Sequence, residues 1–161
     1  MISRLASLLT ALGLAQLFAI SGCADSTHAQ YRDQKTEEII RNFYDSNRER
    51  LEITSVMGDS SIDAYCVLGT YESSVNNIDN LAVSANAFLK QIDLLGEDDY
   101  WHIVVRSSDR FTLIRINHRS IPLAPESTDL MSKSSCGVVK TLVIKKIRMP
   151  TNKTQTLKIG D

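Results

Sequence analysis

This chain predicts an α+β domain built on a mostly antiparallel sheet, and three patterns carry that expectation. Residues 73–96 repeat apolar side chains at the spacing of an amphipathic helix. Residues 98–119 form two apolar runs around the turn "SSDR", the pattern of a β-hairpin. Residues 62–68 alternate with period two, and the expected order is α-β-β-α-β-β-β, with the main helix packed on one face of the sheet.

The N-terminus reads "MISRLASLLTALGLAQLFAISGC". Arg4 precedes a run from Leu5 to Ile20 that carries no charge, the layout of a secretory signal peptide. Its 16 residues fall short of the roughly 20 a helix needs to cross a bilayer, and Gln16 weakens a spanning reading further. The run ends in Ile20-Ser21-Gly22-Cys23: branched apolar, small, small, cysteine. This resembles the lipobox of bacterial lipoproteins. The resemblance implies cleavage between Gly22 and Cys23, a lipid (diacylglyceryl and palmitate-type chains) on Cys23, and attachment to a membrane. At about 0.8 kcal/mol per buried CH₂, two or three chains hold a protein on a bilayer for practical purposes permanently. Ala24 follows the cysteine and Asp25 comes one later, which by analogy with enteric sorting implies the periplasmic face of the outer membrane.

Residues 23–32 read as a polar, lipidated tether, 33–150 as one domain and 151–161 as a tail. "DQKTEEIIRNFYDSNRERLE" places Ile39, Ile40, Phe43, Tyr44 and Leu51 at helical spacing. Glu37 and Glu38 lie near its start and Arg48 and Arg50 near its end, as the helix dipole favours. "LEITSVM" and "IDAYCVLGTYE" read as strands flanking "GDSS", with Ile62, Ala64, Cys66 and Leu68 on one face. In the main helix Ile78, Leu81, Ala85, Phe88, Ile92 and Leu95 share a broad face. Asn76 or Asn77 is its expected cap and Gly96 its expected left-handed terminator. A tight turn in the following hairpin sets His102 opposite Arg115. "SIPLAPESTDLMSKSS" is a long loop, "CGVVKTLVIKKIRM" one long strand with Val139, Val143, Ile147 and Met149 on a face, and "TNKTQTLKIGD" a strand remnant or frayed tail.

Composition excludes some functions. From Cys23 onward the chain has 17 basic and 19 acidic side chains, a formal charge of −2, which argues against nucleic acid as a partner. Cys66 and Cys136 remain once Cys23 carries lipid. An oxidising compartment favours pairing them; two buried free thiols or one reactive cysteine are the alternatives. His28, His102 and His118 show no metal-ligand spacing, so neither a metal nor another cofactor is expected. Nucleophile elbow, P-loop and dinucleotide fingerprint are missing, and no catalytic residue is assigned. Glu97, Asp98 and Asp99 read as a solvated turn, and Lys145 and Lys146 as pointing to opposite faces of a strand.

Cys66-Val67-Leu68-Gly69 ending a strand, Ala85-Asn86 in a helix, and Leu95-Gly96 leading into His102–Val105 carry a second resemblance. From Tyr65 to Val105 the chain is similar to small enterobacterial lipoproteins that include the outer-membrane sensor of the Rcs envelope-stress phosphorelay. The resemblance implies a small α+β domain, stapled by disulfides, that monitors the envelope or engages other envelope proteins. That sensor has four domain cysteines and a long proline-rich linker, against two and a ten-residue tether here, so no residue of function is carried over. The expected role is a non-enzymatic, protein-binding envelope module. The rival readings are an inhibitor of a lysozyme-like hydrolase acting through the loop at residues 119–137, and an envelope enzyme.

Overall fold

The computed structural model describes residues 29–76, 79–124, 134–148 and 155–160. A 3-10 turn, Ala29–Tyr31, opens the described fold. The elements after it are α1 (Gln34–Asp45), β1 (Arg50–Glu52), α2 (Ile53–Met57), β2 (Ile62–Leu68), α3 (Asn80–Gln91), β3 (Tyr100–Ser107), β4 (Arg110–Asn117), β5 (Ser134–Val138), β6 (Val143–Arg148) and β7 (Gln155–Gly160). Helices and antiparallel sheets together make the expected α+β class.

The strands form two sheets: β4-β3-β2-β5 and β1-β6-β7. The four-stranded sheet is the middle layer. One face carries Ala64, Cys66, Leu68, Val104 and Leu113 against the apolar side of α3. The other carries Val67, Trp101, Ile103, Val105 and Ile114 against the three-stranded sheet and α1, where Ile40, Leu51, Ile144 and Leu157 are buried. Alternation along each strand produces both faces, since successive side chains point opposite ways.

Several local expectations change. The first helix stops at Asp45, where Ser46 turns extended, so Arg48 and Arg50 lie beyond it and Leu51 belongs to β1. "LEITSVM" is a strand only through Glu52. Ile53–Met57 closes one helical turn ended by Gly58 at φ 65°, and tertiary bonds hold it: Ile53 N–H donates to Leu142 O, and Leu142 N–H to Thr54 Oγ1. A bulge between Ile62 and Ala64 sends Ile62 to the opposite core from Ala64 and Cys66. The cap of α3 is Asp79, whose carboxylate accepts the Ala82 N–H; Asn76 lies outside the helix, and Asn77 outside the described residues. Asp93, not Gly96, takes the left-handed conformation after the helix, at φ 54°. The chain therefore turns early, burying Leu94 and leaving Leu95 68% exposed.

The long strand predicted over residues 136–149 is two strands in different sheets. Val139 N–H donates to Asp63 O at the end of one sheet, and the chain then crosses through Leu142 into β6 of the other. The C-terminal stretch supplies β7, paired with β6 from Gln155 to Gly160 and burying Leu157 and Ile159. Partnership in a sheet, rather than local pattern, stabilises it.

Candidate functional site

Residues placed in the tether by sequence are part of the fold. Arg32 bridges in parallel to Leu113, and Asp33 N–H donates to Leu113 O at 3.0 Å. The segment thus covers part of the outer edge of β4. Asp33 also caps α1, accepting from Thr36 N–H at 2.9 Å and from the Thr36 hydroxyl.

Beside this seam lies an open groove of about 980 Å³. Its walls come from the 3-10 turn, α3 and the β3–β4 hairpin. The floor is aromatic. Phe88 of α3 stacks on Phe111 of β4 with ring centres 5.3 Å apart, and Tyr31 meets Phe88 edge-on at 5.6 Å. Such pairs rigidify a surface as well as burying area. At the rim Asp59 accepts from the Ser61 backbone N–H at 2.9 Å and from the hydroxyls of Ser61 and Ser107. Those bonds, the one from Ser107 first, hold its carboxyl below the usual carboxylate range. Ser108 at φ 55° and exposed Asp109 form the hairpin turn above it. A smaller hollow continues past Asp109 to Asp63, whose carboxylate is gripped by Arg106 through two bonds of 2.9 Å.

A chain of charges lies behind the groove. Arg32 reaches both oxygens of Glu37, at 3.1 and 2.7 Å, and Glu37 Oε1 accepts the Arg115 N–H at 2.9 Å. Arg115 Nη2 donates to Glu97 Oε1 at 2.9 Å, and its guanidinium lies 3.6 Å from the centre of the Tyr100 ring. His102 sits directly opposite Arg115, as the turn predicts. It is 1% exposed, and its Nε2 is 3.7 Å from Glu97 Oε2, an electrostatic contact too long for a hydrogen bond. Burial pushes the imidazole pKa down. The His102 ring first, and then the Arg115 charge, hold the Glu97 carboxyl low. Glu97 and Asp99 are therefore not simply solvated: Asp99 Oδ1 pairs with Arg119 Nε at 2.6 Å. This arrangement ties the loop after α3 to β4.

No match to this chain comes from protein-family models, curated proteins or solved structures.

Cys66 and Cys136 face each other across β2 and β5 and are joined by a disulfide. Cys66 is buried toward α3. Gly22 and Cys23 lie outside the described residues, as do 125–133 of the long loop. The start of that loop is stitched down: Ala124 N–H donates to Leu157 O and Leu157 N–H to Pro122 O. Among the described residues no group of three or more His, Cys, Asp or Glu is placed to hold a metal ion. Within the same residues no helix is long and apolar enough to cross a membrane. Sequence reading missed the groove because Tyr31, Asp59, Phe88 and Phe111 come from four separate segments. The readable trace was Phe111 and Asp109 beside a tight turn.

Proposed function

We propose that this chain is a lipoprotein held by acyl chains on Cys23 at the periplasmic face of the outer membrane, and that its domain binds another envelope protein without catalysing a reaction. The observation that carries the reading is a lipobox, Ile20-Ser21-Gly22-Cys23, in a chain whose folded part is stapled by the Cys66–Cys136 bond. Such a bond persists in oxidising compartments. The binding half is supported by a preformed groove with a stacked aromatic floor. Five residues separate Cys23 from Ala29, so an anchored domain would lie within about 20 Å of the bilayer.

The test pairs acyl labelling with crosslinking. Cells fed an alkyne palmitate should label the wild-type chain and not Cys23→Ser, and only the wild type should pellet with membranes. Crosslinked envelopes should yield a covalent adduct with a second protein. An unmodified thiol at position 23, or envelopes without any adduct, would overturn the proposal.

A further inference from the structure

We infer that the groove receives an extended, basic segment of a partner protein, which adds a short strand to the edge of β4 at Phe111; the inference rests on the protein-binding reading above. β4 is the outer strand of its sheet. Backbone groups of alternate residues in a strand point the same way. Leu113 turns its carbonyl outward to the Asp33 N–H, and Arg115 turns its N–H outward to Glu37. The register of β3 on β4 is continuous from Tyr100↔Asn117 to Ser107↔Arg110, so the N–H and C=O of Phe111 also project outward, into the groove. Among the described residues the edge is covered at Leu113 and Arg115 and open at Phe111. An unpaired edge beside an apolar floor is the geometry that strand addition uses, backbone bonds giving affinity and alternate side chains specificity.

Charge sets the class of segment. The Arg32 guanidinium is matched by Glu37, which leaves the carboxylates of Asp33, Asp59 and Asp109 against Arg110 around the groove. Asp59 is held ionised by its serine hydrogen bonds. An extended segment that directs an apolar side chain onto Phe88 and Phe111, and basic ones toward Asp59 and Asp109, satisfies both floor and rim.

The full-length chain in detergent is titrated into three fluorescein-labelled heptapeptides, with binding read by anisotropy. The first alternates lysine with valine and phenylalanine. The second has glutamate for lysine, and the third is the lysine peptide with alternate backbone amides N-methylated. The lysine peptide should bind at least tenfold tighter than either of the others. Asp109→Asn, at an exposed turn, should weaken it about threefold, and the Phe111 amide should gain hydrogen-exchange protection in the complex. Equal binding of the two charge forms, equal binding of the methylated peptide, or no binding at all overturns the inference. Tighter binding by a peptide of residues 23–29 also overturns it, by giving the groove to the chain's own tether. The broader reading stands or falls on a different result: wild-type envelope adducts that form although the peptides fail retain it while the groove assignment falls, and adducts absent from the wild type remove both.

Discussion

The Glu37 carboxylate on α1 accepts the backbone N–H of Arg115 on β4, 2.9 Å away, while Arg32 holds both its oxygens. One buried side chain thus closes the seam between the first helix, the segment before it and the edge of the middle sheet. Removing it takes two hydrogen bonds from the Arg32 guanidinium and the acceptor from an edge N–H. Glu37→Ala should therefore cost about 3 kcal/mol, read as a lower urea midpoint with an unchanged m value. Glu38→Ala, one residue on and exposed, should move the midpoint by less than about 0.5 kcal/mol.

Cys66 and Cys136 are separated by 70 residues, so their bond removes substantial freedom from the unfolded chain. Replacing both with alanine should lower unfolding free energy by about 2–4 kcal/mol. A non-reducing and reducing pair of denaturation curves checks this: the wild type should shift under reductant and the double variant should not.

His102 makes stability depend on pH. Burial lowers its pKa below the ordinary 6.5, with Glu97, Arg115 and Glu37 as its charged neighbours. Below pH 6.5 the unfolded chain takes up a proton that the native ring resists, so native stability falls as pH drops from 6.5 toward the lower native value. Its slope approaches about 1.4 kcal/mol per pH unit. His102→Leu should flatten this part of the profile between pH 7.5 and 5. Glu97 acts in a lower window. Its native pKa is depressed from 4.5, so its contribution is present above that value and disappears as pH falls through the native one.

Tyr71 takes φ 68° and is 66% exposed, and its N–H donates to Glu97 O. A left-handed conformation is costly for a residue with a Cβ. Tyr71→Gly should stabilise the fold by up to about 1 kcal/mol. Gly96 opposes it: a Cβ there would stand 2.2 Å from the Tyr71 carbonyl oxygen, which is backbone and cannot rotate away. Gly96→Ala should cost about 1–3 kcal/mol. Thermal melts of the two variants should move in opposite directions.

Much of the architecture is legible from residue order. α3 is announced by Leu81, Ala85, Phe88 and Leu89 on one face, and the hairpin by a polar turn between alternating runs. The opposition of His102 and Arg115 follows from a two-residue turn alone. The groove is not legible. Its floor joins Tyr31, Phe88 and Phe111, residues far apart in the chain whose neighbours each satisfy ordinary helix, strand or turn patterns.

Periodicity and turn chemistry act over a few residues, and by themselves they determine the α+β class, the main helix, the β3–β4 hairpin and the inward face of Cys66. Tertiary structure alone decides that residues 136–149 divide between two sheets, that Ile53–Met57 coils although its residues favour strands, and that the C-terminal stretch becomes β7. The reason is physical: period two is the same whichever sheet a strand joins. Only partners distant in sequence, such as Asp63 for Val139 and Leu142 for Ile53, provide the hydrogen bonds that set where each run ends.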